Sequence, residues 1–123
     1  MARRPRAGGR VRVPARGDLM WLEFQDHAGR QHAGHEQVGR RPALVISPKA
    51  YNARAGLAIV CPITSQVKGY PFEVLLPPDL PIQGAILSDQ VRTIDWQARK
   101  ARYVCTIPET LTDTVRQLIA TLL

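Results

Sequence analysis

With two cysteines, neither in a CxxC pair nor at Cys/His spacing, the chain has no disulfide framework and no zinc-finger pattern to read. Cys61 and Cys105 each sit in an apolar, strand-like setting (IVCP, YVCT) and are expected to be buried free thiols of a reducing compartment. No apolar run approaches the eighteen or more residues of a membrane span. The basic opening, MARRPRAGGRVRVPAR, lacks the apolar core and small-residue cleavage site of a secretory signal. Acid is also scarce there. Six of the seventeen Lys and Arg lie in residues 1–16 without one Asp or Glu, which leaves eleven basic against ten acidic residues in 17–123, a net of +1. The overall +7 is therefore a property of the first sixteen residues, and any phosphate-binding site in the body must be a local arrangement.

What is present fits one domain. At 123 residues and 45% hydrophobic content, the chain can bury roughly two thirds of its unfolded surface. Residues 1–16, rich in Arg, Gly and Pro, are expected to be a basic disordered arm, either a solubilising tail or a weak phosphate-contacting segment. The domain is expected over 17–123. GDLMWLEFQ (17–25) reads as the first strand, RPALVISP (41–48) as the second, LAIVCPIT (57–64) as the third, FEVLLPP (72–78) as the fourth, GAILSDQVRTI (84–94) as a fifth, bent strand, and RYVCTI (102–107) as the sixth. KAYNARAG predicts a helical turn closed by Gly56. Thr106-Ile-Pro-Glu109 matches a capping box, after which Leu111, Val115, Leu118, Ile119 and Leu122 share one helical face. Several short strands without crossover helices exclude a parallel α/β sheet and predict a mainly β fold, a small bent sheet or barrel with a C-terminal helix.

Two connections carry the polar chemistry. Residues 26–40, DHAGRQHAGHEQVGR, show neither helical nor strand periodicity. Their His27, His32 and His35 fall outside zinc-ligand spacing, so no metal is expected. Between the third and fourth strands, Thr64-Ser65-Gln66-Val67-Lys68-Gly69-Tyr70-Pro71 sets hydroxyls, an amide, an amine and a phenol ring at a rim. Such groups can grip phosphates and stack a base; they are equally the residues of an ordinary turn, with Gly69 and Pro71 as its hinges. Asp89, Gln90 and Arg92 either line a groove from the fifth strand or form its solvent face, and Trp96 is expected in the core.

GDLMWLEF, GRRPALVISPKAYN, CPITSQVKGYPFEV and LSDQVRTIDWQAR, in this order and at these spacings, closely resemble the MazF/PemK family of toxin endoribonucleases from type II toxin-antitoxin systems. The resemblance runs from about Gly17 to the C-terminus, and KGYPFEV and the Arg-Pro pair are its most specific parts. It implies a small SH3-like barrel of the MazF/PemK/CcdB type and a cytoplasmic homodimer. It further implies sequence-specific cleavage of single-stranded RNA without metal or other cofactor, and neutralisation by a small MazE-like antitoxin. It matches Arg41 and Thr64 to catalytic positions and Glu36 to the glutamate of the loop before the Arg-Pro pair. Where relatives can carry a histidine just before that arginine, this chain has Arg40.

Those types suit RNA cleavage by the substrate's own 2′-hydroxyl. Arg41 can fork onto phosphate oxygens, Thr64 can donate to the same phosphate, and Glu36 is a candidate base. Arg40, Ser65, Gln66, Lys68, Tyr70, Gln90 and Arg92 are expected to contact RNA. The competing class is a non-enzymatic toxin with the same barrel that binds DNA gyrase, as CcdB does. The chain ends Thr-Leu-Leu rather than Trp-Gly-Ile, and it keeps the Arg41 and Thr64 pair that only a ribonuclease needs.

Overall fold

A computed structural model describes residues 10–24 and 39–123. Seven strands and two helices follow one another as β1 (Asp18–Glu23), β2 (Arg40–Val45), α1 (Lys49–Ala55), β3 (Leu57–Thr64), β4 (Glu73–Leu75), β5 (Ala85–Leu87), β6 (Arg92–Asp95), β7 (Arg102–Thr106) and α2 (Glu109–Ala120). The pairing is antiparallel throughout, in the order β4-β5-β3-β2-β1-β7 with β6 also on β3. The sheet bends into a barrel-like form without closing. The expected mainly β fold with a C-terminal helix is what the chain adopts.

Alternation along β1, β2 and β3 explains how one sheet feeds two cores. Leu19, Leu44, Cys61 and Ile63 point to one side, where α2 lays Val115 against them with Leu111, Leu118 and Ile119 around it. Met20, Leu22, Ala43, Val45, Ala58 and Val60 point to the other and pack with Ile94 and Trp96. Because side chains along a strand repeat every second residue, both faces of these strands are apolar and both are buried.

Three details depart from expectation. The fifth strand is two strands. Ile63 pairs with Ile86 but Val60 pairs with Arg92 where an unbroken register would give Asp89, so three residues are extruded from the ladder between β5 and β6. The capping box does not form. Thr106 is still paired in β7 against Asp18 and spends its hydroxyl on that carboxylate, while Pro108 occupies the cap position of α2 with no side-chain bond. Leu122 lies beyond the end of α2 and is exposed.

The arm expected to end at residue 16 is already docked from Arg10. Arg10 forms an antiparallel bridge with Tyr103, Pro14 is buried, and the Arg12 guanidinium reaches both oxygens of Asp18 at 3.0 and 2.9 Å. Asn52, fully buried in α1, ties this strap down. Its amide donates to the carbonyls of Pro14 (2.9 Å) and Ser47 (3.1 Å), and its own carbonyl accepts Trp96 Nε1–H at 2.9 Å. Buried polar groups persist only when so satisfied. Residues 1–9 lie outside the described residues.

Candidate functional site

The site is built where β2 and β3 end together. Ala43 pairs with Pro62, and the register continued two residues further sets Arg41 opposite Thr64. Both side chains fall on the face that carries Ala43 and Val60, since residues two apart share a face. Arg92, opposite Val60 in β6, belongs to the same face. Arg41 is exposed and Thr64 half-buried, so the pair meets solvent at the rim.

Phe24 supplies the floor. The Arg41 guanidinium stands 5.7 Å from its ring centre and that of Arg99 4.7 Å, both within cation–π range. Arg99 is also held by its backbone, whose carbonyl accepts the Glu23 amide at 2.8 Å. One aromatic ring thus draws two cations to one mouth of the barrel. Among the described residues the ion pairs are Arg12–Asp18 and Arg116–Asp113, so neither cation at this mouth is neutralised by a carboxylate. Two guanidinium groups with no carboxylate partner among the described residues, beside a hydroxyl, make an arrangement suited to a phosphate diester.

Arg40 does not join them. It is the neighbour of Arg41 along a strand, so it points to the opposite face and lies over Trp21 at 5.6 Å. Ser65, Gln66, Lys68 and Tyr70 are all exposed on the connection between β3 and β4, with Tyr70 at 61% of its full surface. Gln66 donates its backbone N–H to Thr64 Oγ1 at 3.0 Å. Gln90 is exposed in the turn extruded between β5 and β6. Glu36 and the three histidines lie outside the described residues. Among the described residues no group of three His, Cys, Asp or Glu is placed to hold a metal ion.

Phe24, Trp21 and Arg99 escaped the sequence reading. Phe24 and Trp21 look like ordinary apolar positions of a first strand, and Arg99 sits in a polar turn. The available signal was their proximity in register to the Arg-Pro pair, visible only once β1 is paired with β2. Gly84 was also overlooked. At φ +123° it lies so close to the end of β3 that a Cβ would stand 2.1 Å from the Thr64 carbonyl oxygen. Trp96 is buried as expected.

Behind the rim, Cys61 is fully buried. Burial, and secondarily the charge of Asp89, pushes its thiol up to about 12. Cys105, expected to be buried, is only half-buried; partial burial, with the charge of Asp18, still raises its thiol. Neither thiol is activated for nucleophilic chemistry.

Comparison with known proteins gives a consistent result. The family described as PemK-like, MazF-like toxin of type II toxin-antitoxin system matches residues 15–123. The endoribonuclease toxin MazF of Escherichia coli K12 is 45% identical over 100 residues, covering 80% of this chain and 85% of the relative. Endoribonuclease PemK of Escherichia coli is 36% identical over 112 residues, 88% of this chain and 80% of that one. A crystal structure of MazE-MazF from Deinococcus radiodurans superposes with a TM-score of 0.83 at 46% identity, over 91% of this chain and 96% of that chain.

Proposed function

Since the chain belongs to the PemK-like, MazF-like toxin family of type II toxin-antitoxin systems, we propose that it is a toxin endoribonuclease that cleaves single-stranded RNA at specific sequences. We further propose that it acts as a homodimer in the cytoplasm and is neutralised by a small MazE-like antitoxin. The relatives named above are endoribonucleases, and solved neighbours are MazE-MazF assemblies. The comparisons lend no support to the gyrase-binding alternative. Among the described residues no helix is long and apolar enough to cross a membrane.

In the proposed reaction the nucleophile belongs to the substrate. The 2′-oxygen forms a bond to the adjacent phosphorus while the bond from phosphorus to the 5′-oxygen breaks, the 2′ proton passing to a base and the 5′-oxygen departing with a proton. The products are a cyclic phosphate and a 5′-hydroxyl, and no metal or other cofactor is called for. Arg41 bears the charge that accumulates on the phosphoryl oxygens, where a fixed guanidinium outperforms mobile water. Thr64 donates its hydroxyl to the same phosphate, and Glu36, on the loop between β1 and β2, takes the 2′ proton. Arg92 lies on the face of Val60, shared with Arg41 and Thr64, and Gln90, exposed in the turn between β5 and β6, supplies a further RNA contact. The loop from Ser65 to Tyr70 grips the neighbouring nucleotides through Ser65, Gln66, Lys68 and a base stacked on Tyr70. Arg40, on the far face, contacts RNA only as it wraps past the rim.

The observation that carries this reading is the pairing of Ala43 with Pro62, whose register continued two residues sets Arg41 and Thr64 on one face, with Arg99 drawn to the same Phe24 ring as Arg41. The test is cleavage of a long mixed-sequence single-stranded RNA by the purified protein with EDTA present, with the cut ends mapped. Wild type should cut at defined sites, and Arg41→Ala should lose about two to three orders of magnitude in turnover. Near-normal turnover in the variant removes Arg41 from the mechanism.

A further inference from the structure

Four of the residues assigned to RNA contact ride on one exposed loop, and an exposed loop loses conformational freedom when a ligand fixes it. The cost is smaller if the backbone is already held. Here one side chain holds it. Glu73, half-buried at the start of β4, accepts two consecutive backbone N–H groups on its Oε1, from Lys68 at 3.0 Å and from Gly69 at 2.7 Å. Its own N–H donates to the Tyr70 carbonyl at 3.0 Å, so one residue clasps three consecutive loop positions.

Two features make the clasp specific. Gly69 has φ +81°, a left-handed conformation that glycine adopts without strain and that turns successive N–H groups towards a common anion. The carboxylate occupies the concavity that such a turn creates. Glu73 is in turn fixed opposite Leu87 in β5, and β5 pairs through Ala85 with Thr64. The geometry of the loop is thereby referred to the strand end that carries the catalytic threonine, at the far side of which Gln66 N–H is anchored on Thr64 Oγ1.

We propose that Glu73 is a positioning residue for RNA recognition: it presets the Lys68-Gly69-Tyr70 backbone so that Lys68 and Tyr70 are presented in register with Arg41 and Thr64. This rests on the ribonuclease reading of the same site. Glu73 acts through the loop and touches no reacting atom, and the acceptor it offers is a single oxygen. A glutamine keeps that oxygen. The carboxylate is dispensable as a charge and indispensable as an acceptor, which separates this role from general base catalysis.

The experiment is steady-state cleavage of a short single-stranded RNA containing the mapped site, for wild type, Glu73→Ala, Glu73→Gln and Gly69→Ala, with a thermal melt of each. Glu73→Ala should raise KM about tenfold to a hundredfold with kcat within about threefold of wild type, the signature of lost binding rather than lost chemistry. Glu73→Gln should stay within about threefold of wild type in both. Gly69→Ala, at a position with nothing within 4 Å of an added Cβ, leaves packing untouched and should raise KM in the same sense, so the proposal stays testable if Glu73→Ala folds poorly. A KM for Glu73→Ala within about twofold of wild type overturns the proposal. So does a Glu73→Gln as defective as the alanine variant, or a loss confined to kcat. Wild type that cuts no RNA overturns the ribonuclease reading and this proposal with it, whereas cleavage by wild type with an unaltered Glu73→Ala KM overturns this proposal alone.

Discussion

Arg12→Ala is expected to cost this protein a large part of its stability although the residue lies well away from Arg41. Asp18 is 1% exposed and accepts four hydrogen bonds, from Arg12 on both oxygens, from the Ala15 amide at 2.9 Å and from the Thr106 hydroxyl at 3.0 Å. Thr106 gives its proton to Asp18, so its oxygen accepts the Tyr103 hydroxyl at 2.9 Å, and the chain of donors ends on a carboxylate whose one ion-pair partner among the described residues is Arg12. Breaking a fully buried pair by removing one partner costs about 3–5 kcal/mol. Arg12 is 40% exposed, so water replaces part of what is lost and two neutral donors remain, which brings the electrostatic cost down to about 2 kcal/mol. The Arg12 guanidinium also lies 3.9 Å from the Tyr103 ring centre, a contact worth about 0.5 kcal/mol at a partly exposed site. At about 3–6 °C per kcal/mol for a domain of this size, the melting temperature should fall by about 7–15 °C. Thermal unfolding followed by far-ultraviolet circular dichroism reads this directly, and the double variant Arg12→Leu with Asp18→Asn should recover part of the loss by removing the stranded charge. A melting temperature for Arg12→Ala within about 2 °C of wild type would refute the reasoning, because it would mean that Asp18 is solvated without the strap.

Two other perturbations test the frame around the site. Gly84→Ala places a Cβ 2.1 Å from the Thr64 carbonyl oxygen at a φ of +123°, so either the turn or the end of β3 must move. RNA turnover should drop by at least about tenfold together with a lower melting temperature, and an unchanged rate would show that Thr64 need not be held there. Cys61, its thiol pushed up to about 12 chiefly by burial, should resist an aromatic disulfide reagent at pH 8 in the native protein and react once denatured. A thiol raised in the folded state stabilises fully below its unfolded value near 9 and progressively less above it, by about 1.4 kcal/mol for each pH unit up to 12. Urea unfolding between pH 8 and 11 should therefore show a shallower loss of stability in Cys61→Ala than in wild type, and equal slopes would contradict the burial argument.

Strand periods and turn residues made most of the architecture legible in the sequence. β3 was read at its true limits, and Gly56 does close α1 with a left-handed φ of 73°. What escaped is long-range. The three residues extruded between β5 and β6 follow from pairing with β3, which no local pattern encodes. Thr106 looked like a helix cap because the capping motif is local, but its hydroxyl goes to Asp18, 88 residues away. Residues 10–16 looked incapable of burying surface, yet Pro14 is buried and Val13 packs against the core. They are held by Asn52, Asp18 and Tyr103, partners supplied by the domain. In the candidate site, Arg41 and Thr64 are singled out by the resemblance of their motifs, whereas the placement of Phe24 beside Arg41 and Arg99 depends on which faces meet across β1 and β2.

The near-neutral body raises a question of charge: a net of +1 over residues 17–123 does not by itself attract RNA. Four of the eight described acids bear on it by where they are spent. Asp18 is consumed by the strap, Glu73 by the loop amides, Asp95 by the Gln97 and Ala98 amides of the turn after β6, and Asp113 by Arg116 on α2. Each of these carboxylates accepts bonds near its own segment, Asp18 also from the strap and from Thr106 of β7, and among the described residues none forms an ion pair with Arg41, Arg92 or Arg99. These four acids act as fasteners of backbone and strap, while among the described residues Arg41 and Arg99 have the Phe24 ring as their neighbour. An aromatic ring holds a guanidinium in place without cancelling its charge, so a phosphate meets cations that are already positioned and, among the described residues, unneutralised. A basic groove can thus be built into a body with almost no net charge. Its affinity should accordingly fall steeply with salt, a dependence that Arg99→Ala would flatten and that neutralising an acid already spent on backbone amides would leave unchanged.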